Sequence, residues 1–340
     1  MTRRLAEVAK YAGVSEATVS RVLNGKPGIS DTTRTAVLTA LDVLGYERPA
    51  KLRGGRARLV GLVLPELQNP IFPAFAEVVA GALAKRGFTP VLCTRTADGV
   101  SEADYVEILL DQHVSGIIFC GGLYHQGAAD HEHYHRLHER GLPAVLVNAA
   151  IDDLGFPRVS VDDGHAVDQA FNHLTSLGHE RIGLLLGPSD HAPSNRKLAA
   201  FEAATRFTST VETDDVERGI FSMEGGRAGA IRLIRQGVTA IICASDVLAL
   251  GAIRAARWLD REVPDDISVV GFDDSIFMNC TDPPLTTVRQ PIQAMGQAAV
   301  TLLVSQVAGT HVPTEEMLFE PELVVRGSTG ALRTAATKAA

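Results

Sequence analysis

A short segment near the amino terminus sets polar side chains at the spacing of one exposed helix face. Residues 16–21 read Glu-Ala-Thr-Val-Ser-Arg, and apolar Val19 turns toward a helical neighbour. An arginine can donate two hydrogen bonds to a guanine edge, a glutamate can accept one from cytosine, and an alanine methyl can pack on thymine. This polar face can therefore enter the major groove of DNA. It consists of Glu16, Ala17, Thr18, Ser20 and Arg21.

A second group of side chains with binding chemistry follows the apolar runs in the larger, carboxyl-terminal part of the chain. Carboxylates and guanidinium groups pair well with sugar hydroxyls, and an aromatic ring offers a sugar an apolar platform. The alternative for each residue is an ion pair or core packing, because a buried polar group requires a partner but not a ligand. The group consists of Asn69, Phe72, Asp163, Arg196, Lys197, Phe221 and Asp273.

Two further patterns are weaker candidates for chemistry. His131, His135 and His138 could face one metal ion, but neither a cysteine nor a second carboxylate cluster accompanies them, and an exposed helix explains the spacing. The pairs at 162–163 and 273–274 resemble paired catalytic acids, yet no nucleophile motif or phosphate loop accompanies them. Ligand contacts and helix caps are the favoured roles of these carboxylates. We predict no enzyme activity, no metal and no cofactor.

Three short helices must position the amino-terminal polar face. Apolar residues recur at helical spacing from Leu5 to Ala12, Gly13-Val14 form a turn, and Ser15 caps a second helix. A third helix begins at Ser30 or Asp31 and ends at Gly45. Its predicted apolar stripe is Ala36, Val37, Ala40, Leu41 and Leu44, with Arg34 facing outward.

The larger part alternates short apolar runs with helical segments. This alternation predicts repeated βαβ units in two doubly wound parallel sheets. In such sheets a ligand binds beyond the carboxyl ends of the strands. The predicted strands cover 59–64, 90–94, 115–120, 144–148, 181–187, 239–245 and 268–273, and the helices cover 73–87, 101–113, 164–178, 192–207, 224–237 and 247–259.

The distribution of charge also separates the amino-terminal helical segment from the larger part of the chain. The whole sequence carries a net charge of −8, but residues 1–58 hold 11 Lys/Arg and 5 Asp/Glu, net +6, and the remainder is net −14. A basic head on an acidic body suits DNA contact, because phosphate neutralisation supplies most of the non-specific affinity. Neither a signal-like apolar core nor a run of about 18 apolar residues is present, so we expect a cytoplasmic protein.

The motifs resemble the LacI/GalR family of regulators. The resemblance rests on the segment from Leu5 through VSRVLN (19–24) to LGY (44–46), on VPDDISVVGFDDS (263–275) and on PPLTTVRQP (283–291). Within the family, the chain is most similar to the actinobacterial maltose-type regulators. The resemblance implies base contacts from Glu16, Ala17 and Arg21. It implies further DNA contacts, mainly to phosphates, from Leu5, Ser15, Thr18, Ser20, Asn24, Thr33 and Arg34.

The link after Tyr46 departs from the family pattern. Family members push a hinge-helix leucine into the minor groove as a wedge, and Ala50 and Leu52 stand where this pair is expected. Three alternatives stay open because this link is shorter: Leu52 is the wedge, basic residues at 48, 51 and 53 read groove width, or the segment is a flexible linker.

The resemblance also implies an α-helical head on a periplasmic-binding-protein-like sensor of two α/β lobes. We expect a DNA-binding domain over 1–46, a hinge over 47–58, a sensor over 59–328 and a disordered tail over 329–340. The first lobe spans about 59–160 and 291–320, and the second about 161–290 and 321–328. Lys197 stands at the family's cleft arginine, and Ser245-Asp246 replace its Asn-Asp pair, so Ser245 joins the candidate contacts.

The resulting expectation is a dimeric regulator, more specifically a repressor, which binds a palindromic operator. Its effector is a small sugar, with maltose or another α-glucoside implied by the subgroup. A solute-binding transport protein would need a signal segment and no basic head. A sugar-modifying enzyme would need a catalytic constellation that the sequence lacks.

Overall fold

The computed structural model describes residues 2–24, 26, 28–44, 46, 58–95, 99–149, 154–206 and 215–332. The chain forms two compact units. The first contains Met1–Leu59 with Gly87–Thr89, and the second contains Val60–Arg86 with Pro90–Ala340. We call the helical part of the first unit the head and the second unit the body.

The head consists of three helices, α1 (Thr2–Ala12), α2 (Glu16–Leu23) and α3 (Asp31–Val43). Gly13, with φ +66°, allows the turn between α1 and α2, because a left-handed backbone strains any residue that carries a Cβ. The Ser15 side chain accepts a hydrogen bond from the Thr18 amide, as predicted for an N-cap. The helices enclose a core of Val8, Ala9, Val19, Val22, Val37, Ala40 and Leu41.

The prediction for the apolar stripe of α3 is wrong at one residue. Ala36 is exposed, whereas Val37, Ala40 and Leu41 are buried and Leu44 is partly buried. In a helix with 3.6 residues per turn, Ala36 lies at the edge of the stripe that the other four residues form. The closely spaced pair Ala36-Val37 therefore contributes only its second member to the core.

The body contains two six-stranded sheets, one in each of two lobes. The first sheet has the order β11-β5-β4-β3-β1-β2 and the second the order β12-β10-β9-β8-β6-β7. The first-lobe strands are β1 (Leu59–Leu64), β2 (Thr89–Thr94), β3 (Gly116–Phe119), β4 (Ala144–Val147), β5 (Arg158–Val161) and β11 (Glu316–Phe319). The second-lobe strands are β6 (Ile182–Leu186), β7 (Val216–Arg218), β8 (Ala240–Cys243), β9 (Ser268–Asp273), β10 (Thr286–Arg289) and β12 (Glu322–Val324).

Helices connect these strands and cover the sheets. They are α4 (Ile71–Ala84), α5 (Glu102–Asp111), α6 (Glu132–Glu139), α7 (Asp163–Ser176), α8 (Ala192–Arg206), α9 (Met223–Gln236), α10 (Asp246–Trp258) and α11 (Ile292–Val307). Parallel strands with helical crossovers confirm the predicted doubly wound architecture. Among the described strand pairs of the second sheet, β10 with β12 is antiparallel and the others are parallel.

Each sheet has a point where the direction of strand winding reverses. The first sheet reverses at β1, which lies between β2 and β3, and the second reverses at β6, which lies between β7 and β8. Connections leave such a strand pair in opposite directions, so a crevice opens beyond the carboxyl ends. The fold therefore places one crevice in each lobe.

The carboxyl-terminal segment requires a correction. Residues 329–332 were expected in a disordered tail, but Thr329 bonds His173 at 2.9 Å and the Leu332 amide donates to the Leu177 carbonyl at 3.0 Å. These contacts to α7 and to its C-cap residue Leu177 anchor the segment to the second lobe. Residues 333–340 lie outside the described part of the chain. Among the described helices, none has the length and apolar character to cross a membrane.

Candidate functional site

A cavity of about 330 Å³ lies between the two lobes of the body. Its walls come from the carboxyl ends of strands in both sheets, where the winding of a doubly wound sheet places ligands. Seven of the eight candidate effector contacts line it, and Arg196 does not. The seven are Asn69, Phe72, Asp163, Lys197, Phe221, Ser245 and Asp273.

Asp273 presents an unsatisfied carboxylate oxygen at the end of β9. Its Oδ1 accepts a hydrogen bond of 2.7 Å from Gln290 Nε2, while its buried Oδ2 has no hydrogen-bond partner among the described residues. Burial raises the pKa of Asp273 well above its usual range, and repulsion from Asp246 adds to this effect. A buried acceptor without a partner is costly, and this oxygen belongs to a side chain that lines the cavity.

The backbone around Asp273 is strained. Asp273 has φ +121° and Asp274 has φ +53°, in a region that residues with a Cβ rarely adopt. Asp274 bonds Arg289 at 2.7 Å and Arg326 at 2.6 Å, which holds the second residue of the pair away from the cavity. Strain that the surrounding structure maintains at a cavity wall is typical of a binding site.

Asp163 and Lys197 pair with each other across two helices. The Lys197 ammonium makes a short contact to Asp163 Oδ1, and both side chains are buried. Lys197 also lies 3.9 Å from the centroid of the Phe272 ring. Burial raises the pKa of Asp163, and the charge of Lys197 opposes this rise. The ion-pair alternative therefore applies to these two candidates, which present a neutralised pair to the cavity.

Ser245 and Asp246 both have local structural partners. The Ser245 hydroxyl caps α10 by accepting from the Leu248 amide at 3.2 Å. Asp246 accepts from the Ser275 amide and hydroxyl at 2.7 and 2.6 Å and from the Thr287 hydroxyl at 2.6 Å. Burial raises the pKa of Asp246 to about 6. Asp246 therefore holds the segment that follows β9 and so positions Asp273.

Aromatic rings and an asparagine just before α4 form the rest of the predicted wall. Asn69 Oδ1 accepts from the Ile71 amide at 3.3 Å, next to Phe72 on the first turn of α4. Phe221 is packed so closely on Gly187 that a Cβ there would lie 2.2 Å from the ring. A side chain at position 187 would displace Phe221 from the cavity.

Arg196 is not a cavity residue, contrary to the prediction. Its guanidinium donates to both carboxylate oxygens of Glu316, at 2.8 and 2.9 Å, and to the Ala149 carbonyl at 3.1 Å. Arg196 belongs to α8 of the second lobe, whereas Glu316 and Ala149 belong to the first. The side chain therefore forms a bidentate link between the lobes.

We expect Glu316→Gln to weaken effector binding about 2- to 10-fold, because the exchange of an ion pair for a neutral contact favours separation of the lobes. Isothermal titration calorimetry with the effector measures the change. Glu315→Gln is the matched control, since Glu315 is exposed on the same segment. Equal effector affinity in Glu316→Gln, Glu315→Gln and the parent protein would show that the Arg196–Glu316 ion pair does not hold the lobes together for binding.

Sequence reasoning missed several side chains of the cavity. Asn148 and Cys120 end predicted strands, so the strand-end rule could have selected them. Gln290 follows β10, a strand that the apolar pattern did not reveal. The other polar lining residues that were not selected are Glu66, Arg95, His125, Gln126 and His191.

Two histidines of the candidate metal segment, His131 and His133, have separate partners. His131 Nε2 bonds the Leu123 carbonyl at 3.0 Å, and His133 Nε2 lies 3.0 Å from the buried carboxylate of Glu102. His135 is exposed on α6. Within the described ranges, no group of three or more His, Cys, Asp or Glu side chains could hold a metal ion.

The head exposes the polar face that the sequence predicts. Glu16, Ala17 and Arg21 are exposed on α2, while Thr18 and Ser20 are half-buried. The Ser15 and Thr18 hydroxyls lie 2.9 Å apart. The arrangement leaves one helix face with an arginine, a glutamate and small residues, which matches the chemistry of base edges.

The remaining candidate DNA contacts occupy other positions. Leu5 packs against the head core, and Asn24 folds back to donate to the Ser20 carbonyl at 2.8 Å. The Thr33 hydroxyl lies 2.8 Å from that of Ser30. Arg34 is half-buried rather than fully outward, and its Nε is buried. Ala50 and Leu52 of the hinge lie outside the described residues.

Comparison with known proteins connects both units to described families. Residues 4–49 match the model "Bacterial regulatory proteins, lacI family", and residues 171–329 match "Periplasmic binding protein-like domain". The transcriptional regulator MalR of Streptomyces coelicolor is 53% identical over 334 residues, which cover 97% of each chain.

Two solved structures are similar over nearly the whole chain. The transcriptional regulator CelR in complex with cellobiose is 33% identical, with a TM-score of 0.71 and coverage of 95% of this chain and 99% of that chain. The lac repressor dimer bound to operator and the anti-inducer ONPF is 29% identical, with a TM-score of 0.74 and coverage of 95% and 98%. The similarity thus includes head and body together.

Proposed function

Since the chain belongs to the LacI family of bacterial transcriptional regulators, we propose that it is a repressor controlled by a disaccharide effector. The observation that carries the effector proposal is the cavity between the lobes, which Asp273 lines together with the aromatic residues Phe72 and Phe221. A sugar combines hydroxyl donors with apolar ring faces, and this cavity offers a partner for each.

The size and contents of the cavity favour a disaccharide. A volume of about 330 Å³ lies within the range of pockets that enclose small ligands. Phe72 and Phe221 provide platforms, while Asp273 provides an acceptor. The cellobiose complex of CelR supports a two-ring sugar, and the resemblance to maltose-type regulators favours maltose or another α-glucoside.

The residues that we assign to DNA are those of the exposed α2 face. Glu16, Ala17 and Arg21 contact bases, and the other head candidates contact phosphates or fix their geometry. One small head offers few contacts, and two heads related by a two-fold axis read a pseudopalindrome. The lac repressor dimer bound to operator supports the proposed dimer.

We propose the domain division that the sequence predicted. Residues 1–46 form the DNA-binding head, 47–58 the hinge and 59–328 the effector sensor. Effector binding favours one arrangement of the lobes, and operator affinity changes because that arrangement has a different affinity for DNA.

A saccharide panel tests the proposal on the full chain. A bound effector at 100-fold excess over its Kd should add about 2.7 kcal/mol to the free energy of unfolding, which a thermal-shift assay detects. Each stabilising sugar is then added to a gel shift with operator DNA selected by the protein from random sequences. We expect an α-glucoside disaccharide to change both readouts. A panel in which every saccharide leaves melting and DNA binding unchanged would refute the effector class.

A further inference from the structure

Two histidines from opposite lobes meet at the cavity wall. His125 belongs to a short 3-10 turn of the first lobe (Leu123–His125), and His191 directly precedes α8 of the second lobe. Their ring centroids are 5.2 Å apart with an interplanar angle of 85°, and both residues line the cavity. The perpendicular arrangement leaves the two rings without stacking overlap.

Backbone contacts between the lobes hold the two rings in place. Gln126 and His191 form an isolated antiparallel bridge, and the Gly127 amide donates to the Asp190 carbonyl at 3.4 Å. Aromatic neighbours flank each ring, with Tyr124 at 4.4 Å from His125 and Phe221 at 5.0 Å from His191. The rings are therefore part of the contact between the lobes rather than mobile surface groups.

The hydrogen bonds of His191 determine its tautomer. The Ser194 backbone amide lies 3.3 Å from His191 Nδ1, and the Ser194 hydroxyl lies 2.9 Å from the same atom. An amide can only donate, so Nδ1 must be the unprotonated acceptor. In a neutral imidazole the proton then resides on Nε2, which is a donor.

The hydrogen bond of His125 determines the state of the second ring. His125 Nε2 lies 3.3 Å from the Val147 carbonyl, which can only accept. Nε2 therefore carries the proton, and Nδ1 of the neutral ring is an acceptor. The two rings thus provide one donor, His191 Nε2–H, and one acceptor, His125 Nδ1.

Both rings stay neutral near physiological pH. Burial lowers the pKa of His125 to about 4, with the charge of Arg196 acting in the same direction and the Val147 carbonyl, Glu102 and the Asn148 backbone opposing it. Burial lowers the pKa of His191 to about 2, and His125, Lys197 and Arg218 contribute further. The donor and the acceptor are consequently both present under the conditions of effector binding.

We propose that His125 and His191 form a subsite for a single hydroxyl group of the effector, which donates to His125 Nδ1 and accepts from His191 Nε2–H. The proposal rests on the proposed function, since it takes the cavity as the effector site. A carboxylate cannot donate to His125, and an ammonium cannot accept from His191, so the subsite selects a neutral hydroxyl. Because one ring comes from each lobe, the bound hydroxyl also links the lobes.

Calorimetric titration of the full chain with maltose, cellobiose, trehalose and glucose provides the test. His191→Asn keeps the cap on α8, since Asn is a good N-cap, but removes the Nε2 donor. His125→Phe keeps an aromatic ring but removes the acceptor, and His125→Gln restores an acceptor and a donor. His135→Asn is the matched control, because His135 is exposed on α6 outside the cavity.

We expect His191→Asn and His125→Phe to weaken the tightest saccharide of the panel about 2- to 10-fold each, the loss of one neutral hydrogen bond. His125→Gln and His135→Asn should bind it as the wild type does, and His191→Asn should retain the melting temperature. The monodeoxy analogue of that saccharide that lacks the bridged hydroxyl should have the same affinity for the wild type and for His191→Asn.

Two results would overturn the inference and are distinguishable. If wild type binds a saccharide and both His191→Asn and His125→Phe bind it equally well, the subsite is wrong while the proposed function stands. If wild type binds no saccharide of the panel, the proposed sugar effector is wrong, and the subsite falls with it.

Discussion

Replacing Arg21 with alanine is expected to remove most of the preference for operator over unrelated DNA. Arg21 is exposed on α2, and a bidentate contact to guanine contributes about 1–3 kcal/mol of discrimination. A dimer uses the contact twice, so the specificity ratio should fall by roughly 2–6 kcal/mol. Fluorescence anisotropy with selected operator and scrambled DNA, at one fixed salt concentration, measures both affinities.

Asn24→Ala is the contrasting variant for Arg21→Ala. Its side chain bonds the Ser20 carbonyl at the end of α2, and we assign it to phosphate rather than base contact. It should weaken binding to operator and scrambled DNA alike, leaving their ratio unchanged. Undiminished operator preference in Arg21→Ala would show that α2 is not the recognition helix, provided that effector binding is intact.

Asp273→Asn should separate effector affinity from stability. Burial favours the uncharged form of Asp273, and a hydrogen bond between neutral groups contributes about 0.5–1.5 kcal/mol, so its loss should weaken effector binding about 2- to 10-fold. The asparagine oxygen can still accept from Gln290. Because burial and Asp246 disfavour the ionised carboxylate, we expect the melting temperature to stay the same or rise at pH 7.

The adjacent Asp274→Asn should show the opposite pattern. Asp274 pairs with Arg289 and Arg326 rather than facing the cavity, so its neutralisation should lower stability. Effector affinity should change much less than in Asp273→Asn. Calorimetry and thermal melts on both variants make the comparison. Unchanged affinity in Asp273→Asn would mean that its Oδ2 does not contact the effector.

Periodicity predicted most of the body because the central strands are buried on both faces. The seven apolar runs correspond to β1, β2, β3, β4, β6, β8 and β9. Strands β5, β7, β10, β11 and β12 escaped prediction because each contains polar or charged residues that interrupt an apolar run. Such segments become strands through pairing with a neighbouring strand rather than through their own composition.

The family prediction and the exclusion of an enzyme are confirmed by the relatives, which are named transcriptional regulators. The candidate contacts for DNA and effector stay predictions. The cavity nevertheless gathers residues that are more than 200 positions apart, from Asn69 to Asp273. The rule that ligands bind at strand ends predicted their convergence without any measured distance.

The polar face of the head, with Arg21 on α2, was determined by the sequence alone, because a helix face depends only on local spacing. The tertiary structure decided which partner each charged side chain in the body has. Arg196 and Lys197 are neighbours in sequence, yet one links the lobes through Glu316 and the other pairs with Asp163. Their partners come from distant strands and helices. A long-range partner fixes a charge in place, and periodicity carries no information about long-range partners.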